Sequence, residues 1–172
     1  EFFSVPYMQS RYHVYRGAPD LAQRVDDELL RLSRQRNNSA GLVLGYNSSG
    51  RNLMYGGKFG PSRSPLEEVL ALYDPTSHCS LAQQVGVHPH INSQVFLGIV
   101  LFCLGYSDQA LARSSAAIAE ARRLGHTTTL GSTSLRVGTR AGVIRSVRTM
   151  KYSPRGVSRR SLSALSRVAK AA

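Results

Sequence analysis

Apolar side chains recur at intervals of three and four residues through the first 126 positions, which is the spacing of amphipathic helices. The clearest stripe follows Pro19 and contains Leu21, Ala22, Val25, Leu29 and Leu32. The pattern predicts six helices joined by turns, over residues 6–15, 19–36, 39–55, 64–74, 91–104 and 108–124, with a further short helix possible over residues 81–85.

The start of the fourth helix carries the strongest local signal. Ser64 suits the N-cap, Pro65 suits the first helical position, and Glu67 can return a hydrogen bond as in a capping box. The sequence therefore predicts that this helix begins at Ser64. Cys103 lies at the end of an apolar run and is predicted to be a small buried residue.

Aligning the chain with itself at a shift of 48 places Gly50 on Gly98 and Gly57 on Gly105. The first glycine of each pair lies within a helix, where a missing side chain lets another helix approach closely. The second glycine lies at the turn, where it allows backbone conformations that other residues adopt at a cost. The chain thus contains a helical-hairpin repeat.

In the last hairpin, the spacing of the small and apolar residues resembles that of the tetratricopeptide repeat. We predict that the residues packed at helix crossings and turns are Gly50, Gly57, Leu97, Gly98, Leu101, Gly105, Ala110 and Ala117. The middle hairpin departs from the pattern, since Ser62 stands where alanine is expected. The predicted fold is all-α, a short solenoid of about three antiparallel helical hairpins.

A more specific resemblance rests on four segments, Leu72-Tyr73-Asp74-Pro75 with His78, His88-Pro89, Phe102 to Ala112, and Ala116 to His126. They are similar to the helical-repeat region of large bacterial regulators that carry an adenylate/guanylate cyclase domain and a predicted ATPase. The resemblance implies that this chain is a fragment of a signalling regulator. The cyclase carboxylates and the ATPase motifs have no counterpart here, so the resemblance transfers no enzymatic activity.

Residues 127–172 differ from the rest in charge. They contain ten Lys and Arg and no Asp or Glu, whereas the first 126 residues hold 12 Lys and Arg against all ten acids. We predict a helical-repeat domain at 1–126 and a poorly ordered basic tail at 127–172. The tail has three explanations, which are out-of-frame translation, a native disordered segment, or an arm that binds nucleic acid.

Three segments carry patterns that resemble those of catalytic or ligand-binding sites. Gly45 to Asn52 has phosphate-loop spacing, but Arg51 and Asn52 replace its Lys and its Ser or Thr. His88 and His90 have tight spacing for a metal, but an extended segment would point them to opposite sides. The run Asp26-Asp27-Glu28 is interpreted as solvated charge near a helix N-terminus. We therefore predict no catalytic residue, cofactor or metal.

The predicted function is non-catalytic protein or peptide binding by a scaffold, on the face where the first helices of the hairpins align. Candidate contacts are Tyr46, Arg51, Asn92 and Gln94. The alternative is a nucleic-acid-binding protein that acts through residues 127–172. A cytoplasmic location is expected because no leader opens the chain and the apolar run 95–104 is too short to span a membrane.

Overall fold

The structure is a computed structural model, and it describes residues 2–125. Within this range the chain contains eight helices and no strand, which confirms the predicted all-α class for that part. The helices are α1 (Ser4–Tyr15), α2 (Pro19–Gln35), α3 (Ser39–Tyr55), α4 (Phe59–Leu72), α5 (Pro75–His78), α6 (Leu81–Val85), α7 (Pro89–Cys103) and α8 (Ser107–Arg123). The basic tail predicted at 127–172 lies outside the described residues.

The predicted start of α4 at Ser64 is wrong. The helix begins at Phe59, and Pro65 lies inside it. Contacts with the rest of the protein explain the earlier start, since Phe59 packs against the apolar core and the Ser62 hydroxyl donates to the Gly50 carbonyl at 2.7 Å. Pro65 lacks the N–H that would bond the Pro61 carbonyl, and this single lost bond is tolerated because Leu66 and Val69 are fully buried.

Two short helices, α5 and α6, fill the connection between α4 and α7. Asp74 caps α5 by accepting from the backbone N–H groups of Thr76 and Ser77, each at 3.1 Å. Leu81 and Val85 of α6 are buried in the cluster that also holds Tyr7 of α1. Cys103 is exposed rather than buried, because residues 103–106 at the α7–α8 turn extend beyond the packed part of α7.

The long helices pack in chain order. The pairs α1–α2, α3–α4 and α7–α8 are each joined by a short turn, α3 packs on α2 and α1, and α7 packs on α4 and α3. Two clusters of buried apolar residues lie between them. One is centred on α7 and contains Phe96, Leu97 and Leu101, and the other joins α1, α2 and α3 around Tyr7 and Leu44.

Each helical pair crosses at two small residues that are 12 positions apart. In α1–α2 the Ser10 hydroxyl donates to the Ala22 carbonyl at 3.4 Å, and in α3–α4 the corresponding residues are Gly50 and Ser62. In α7–α8 a Cβ built on Gly98 would lie 3.3 Å from the Ala110 carbonyl oxygen. Seven residues after the first small residue, Gly17, Gly57 and Gly105 adopt φ angles of 72°, 73° and 91°.

Substituting Gly50 with alanine is expected to lower the free energy of unfolding by about 1–3 kcal/mol, because the added carbon overpacks the core. That carbon would lie 2.6 Å from Leu66 Cγ and 3.3 Å from its backbone nitrogen, and Leu66 is fully buried. Gly60→Ala in α4 is the matched control, since nothing lies within 4 Å of its added carbon. Urea unfolding measures both. Equal effects of the two substitutions would contradict a close crossing at Gly50.

Candidate functional site

A long apolar groove runs between α1 and α2. Its volume is about 490 Å³, and its lining residues are Phe2, Val5, Pro6, Gln9, Arg24, Val25, Glu28, Leu29 and Leu32. Leu29 is buried and also belongs to the core, so it forms the floor. Val5 of α1 is 69 % exposed, and Phe2, which precedes α1, is 59 % exposed; both line the groove. We call this feature the α1–α2 groove.

The groove is open because each helix has a wider apolar surface than the core uses. In α2, Ala22 and Leu29 are buried in the core, while Val25 and Leu32 on the neighbouring face are half-buried. In α1, Tyr7 is buried in the core, while Val5 is exposed to solvent. Exposed apolar patches of this kind mark interaction sites more often than single exposed residues do.

The rim of the groove carries one charge of each sign on α2. Arg24 and Glu28 stand one helical turn apart and are both exposed. Glu28 also accepts two hydrogen bonds from Arg31, at 2.7 and 2.6 Å, and these bonds lower the pKa of Glu28. The side chains of that ion pair are each about half exposed, so it contributes little to stability and can exchange partners.

Beneath the groove, polar side chains fill positions where a helical core normally has apolar ones. We call them the buried polar network: Tyr7 and Ser10 of α1, Asp26 of α2, Asn47, Ser48, Arg51 and Asn52 of α3, and Ser93 of α7. Asn52 donates from its amide nitrogen to Asp26 and, at 2.8 Å, to Ser10. The network therefore ties α1, α2 and α3 together directly under the groove.

Arg51 supplies the positive charge of the buried polar network. It is 3 % exposed, donates to Ser48 at 2.8 Å and to Asn52 at 3.1 Å, and lies over the Tyr7 ring at 5.3 Å. The Tyr7 hydroxyl donates to Asn47, whose amide donates to Ser93 at 2.7 Å. The chain of hydrogen bonds thus continues from α1 through α3 to α7.

Asp26 supplies the negative charge, and its interpretation as a solvated residue is wrong. It is fully buried because residues 22, 26, 29 and 33 lie on one face of α2, and that face is the one that packs inward. Burial raises the pKa of Asp26 to about 6, although Ser10, Ser48, Arg51 and Asn52 all act to lower it. Its Oδ1 atom is buried without a hydrogen-bond partner among the described residues.

A second set of titratable side chains surrounds Tyr73 at the end of α4. The His90 ring stacks on Tyr73 with centroids 5.0 Å apart, and the His88 and His78 rings lie 5.2 and 5.5 Å away. The prediction that His88 and His90 point to opposite sides is therefore wrong, because both lie against one ring. A pocket of about 210 Å³ adjoins them and includes Cys79, Glu120 and Arg123.

The interactions around Tyr73 are those of a structural cluster. His78 Nδ1 accepts from the Asp74 backbone N–H at 3.0 Å, and its Nε2 bonds Ser39 at 2.9 Å. Burial lowers the pKa of His78, which favours its neutral form. His90 pairs with Glu120 at 3.1 Å and so joins α7 to α8. In the described range, no group of three or more His, Cys, Asp or Glu side chains is arranged to hold a metal ion.

The four predicted partner contacts do not form one exposed surface. Arg51 is part of the buried polar network, and Gln94 is 6 % exposed and donates to Glu120 at 2.8 Å. These two side chains act within the protein, so their prediction as partner contacts is corrected. Tyr46 and Asn92 are half-buried, and the Tyr46 hydroxyl accepts from Arg34 at 3.3 Å. None of the four lines the α1–α2 groove.

The residues predicted to pack at crossings and turns lie at such places. Leu97, Leu101, Ala110 and Ala117 are buried between α7 and α8 in one core cluster. The segment from Gly45 to Asn52, which has phosphate-loop spacing, lies inside α3 and forms no loop. No helix between residues 2 and 125 combines the length and apolar character needed to cross a bilayer.

The groove and the burial of Asp26 were not predicted from the sequence, for different reasons. The signal for Asp26 was present, since it falls on the stripe of Ala22 and Leu29 at spacings of four and three. The groove left a weaker signal, namely apolar Phe2 and Val5 just before the first predicted helix, with no assigned partner. Which apolar face remains open depends on how the helices are placed, and periodicity does not specify that.

Comparisons with protein-family models, with curated proteins and with solved structures give no match for this chain.

Proposed function

We propose that this chain is a non-catalytic protein-interaction module, built as a stack of tetratricopeptide-like helical pairs, and that the α1–α2 groove is its docking surface. The observation that carries the proposal is the groove itself, an exposed apolar channel of about 490 Å³ between α1 and α2. Its lining is mainly aliphatic and aromatic, with Gln9, Arg24 and Glu28 as the polar contributions.

The stack of tetratricopeptide-like pairs is supported by the crossings. Three pairs share small residues 12 positions apart, followed by a glycine of positive φ at the turn. Such repeats bury their apolar faces against neighbouring repeats. α3 packs on one side of the α1–α2 pair, and the groove is on a side that the described helices leave uncovered.

The shape of the groove favours a helical partner. α1 and α2 are about 18 and 25 Å long at 1.5 Å per residue, and the channel between them matches an amphipathic helix that presents apolar residues at i, i+3 or i+4, and i+7. Phe2 lines the groove, and the Arg36 guanidinium lies 4.7 Å from its ring centroid, within the range of a cation–π interaction. A role in a signalling regulator remains a prediction from the sequence resemblance.

Position-specific photocrosslinking in cells that express the protein tests the proposal. A benzophenone amino acid at Val5 or Gln9, both exposed in the groove, is expected to form discrete adducts. The same group at Leu111 or Gln109, which are exposed on α8, is the matched control and should give few. Val5→Asp should suppress the adduct at Gln9, because a carboxylate disfavours an apolar partner.

Equal labelling of the groove and of α8 would contradict the proposed function, as would an adduct at Gln9 that Val5→Asp leaves unchanged. The mass of each adduct also reports which molecule occupies the groove. Circular dichroism of each variant checks that the helical fold is retained.

A further inference from the structure

We propose that the occupant of the α1–α2 groove is a second copy of this chain, packed about a two-fold axis with the two α2 helices antiparallel. This inference rests on the proposed docking role of the groove and adds the identity of the partner. It is carried by the order of charges on the rim, by the apolar surface beside them, and by the charge of the other possible occupants.

The rim charges are self-complementary. In an isologous dimer, residue i of one copy contacts residue j of the other, and j contacts i. Arg24 and Glu28 have opposite signs and stand four residues apart on the exposed face of α2. A two-fold axis at the level of residue 26 places each Arg24 beside the Glu28 of the other copy. Both pairs then form at once, and a parallel arrangement would set like charges together.

The apolar surface available for this contact extends beyond the groove. Met8 and Tyr12 of α1 and Leu21 of α2 are large apolar side chains that are also exposed. They continue the faces of Val5 and Val25 at helical spacing. A face of two short helices is at the small end of specific interfaces, which bury about 800 Å² per partner. A dimer with a dissociation constant in the micromolar range is therefore expected.

The same rim disfavours the other occupants considered. Residues 127–172 carry ten positive charges and no negative one, and a segment of that kind seeks an acidic surface. The groove offers Arg24 as well as Glu28, so it provides no net attraction for a basic helix. Binding of an unrelated helix would not require that Arg24 and Glu28 be placed symmetrically about residue 26 of α2. Binding of a second copy does require it.

A charge-swap experiment tests the inference on the full chain by sedimentation equilibrium. The wild type is expected to show a concentration-dependent shift from the monomer mass of 18.8 kDa to twice that mass. Arg24→Glu and Glu28→Arg should each weaken dimerisation about tenfold or more, because each homodimer then contains two like-charged pairs. An equimolar mixture should regain the wild-type affinity, since the heterodimer restores two opposite-charge pairs.

Glu68→Arg on α4 and Arg113→Glu on α8 are the matched controls, because both residues are exposed and lie on other helices. They should leave the dimer unchanged. Recovery in the mixture also excludes misfolding, since both partners of a restored dimer must be folded.

A wild type that remains at the monomer mass up to several hundred micromolar would overturn the second-copy inference. So would a mixture that dimerises no better than the single variants. Neither result removes the proposed docking function, which fails separately if photocrosslinks at Val5 and Gln9 are absent.

Discussion

Replacing Arg51 with methionine is expected to lower the free energy of unfolding by about 3 kcal/mol, although methionine keeps much of the side-chain volume. The substitution leaves the buried acceptors of Ser48 and Asn52 without their donor and removes the cation over the Tyr7 ring. It also removes the positive charge that lowers the pKa of buried Asp26. A charge left without compensation in the interior is among the costliest single changes.

Arg34→Met is the matched control for that measurement. Arg34 also lies over a tyrosine ring, at 5.9 Å from Tyr46, and also donates a side-chain hydrogen bond, but it is exposed. Its loss should cost under about 1 kcal/mol. Urea unfolding of both variants gives the comparison, and equal costs would contradict a stabilising role for the buried polar network.

A double-mutant cycle separates the charge of Arg51 from its packing. In an Asp26→Asn background no buried carboxylate needs compensation, so Arg51→Met should cost at least about 1 kcal/mol less than in the wild type. Strict additivity of the two substitutions would show that Arg51 and Asp26 are not coupled.

The second large effect is the pH dependence of stability that Asp26 imposes. Its pKa is raised from 3.8 to about 6 in the folded protein, mainly by burial, so the folded state binds the proton more tightly than the unfolded state. The resulting stability is complete below about pH 4 and is lost as the pH rises through 6. The full contribution is about 3 kcal/mol, since each pKa unit corresponds to about 1.4 kcal/mol.

His78 has the opposite sign and must be separated from Asp26. Its pKa is lowered by burial, so the stability that it contributes is present above pH 6.5 and is lost as the pH falls. Measuring the wild type and Asp26→Asn at each pH cancels the His78 contribution. The free energy of unfolding of the wild type relative to Asp26→Asn should increase by about 2 kcal/mol from pH 8 to pH 4. A difference that does not change with pH would show that Asp26 is solvated.

The third helical pair, α7–α8, has apolar residues at the positions where α3 has buried polar ones. At the shift of 48, Ser48, Arg51 and Asn52 of α3 correspond to Phe96, Ile99 and Val100 of α7, which pack as an ordinary apolar core. The buried polar network therefore replaces apolar core residues in α3, and it reaches α7 through the Asn47–Ser93 hydrogen bond described above. Ser10 and Asp26 belong both to the network and to the two helices that line the groove, so protonation of Asp26 changes the charge buried within that helical pair.

Periodicity and capping residues predicted most of the helices from the sequence. α2 has a long apolar stripe and α7 a long apolar run, and Pro19 marks a start that the structure retains. α7 begins at Pro89, two residues before the start predicted at residue 91. The start of α4 at Phe59 was missed because the sequence shows only the local helix-start residues Ser64 and Pro65. The contacts that stabilise the earlier start are tertiary. Phe59 gains burial and Ser62 gains a hydrogen bond only once α3 is in place.

The candidate site was less predictable than the fold. Arg51 was predicted as a partner contact on the face where the first helices of the hairpins align, but the sequence pattern does not distinguish a surface contact from a buried charge when a carboxylate such as Asp26 is also on an inward face. The groove could not be predicted, because it is formed by two faces that the core leaves uncovered. Residues of both α1 and α2 line it, so it exists only when the two helices lie side by side.

The measurement that tests the docking role most directly is the position dependence of photocrosslinking over the surface of α1, α2 and α8. We expect strong adducts from benzophenone at Val5 and Gln9, their loss on Val5→Asp, and weak labelling from Leu111 and Gln109. Uniform labelling of these positions, or adducts confined to α8, would contradict the assignment of the α1–α2 groove as the surface through which this protein binds its partner.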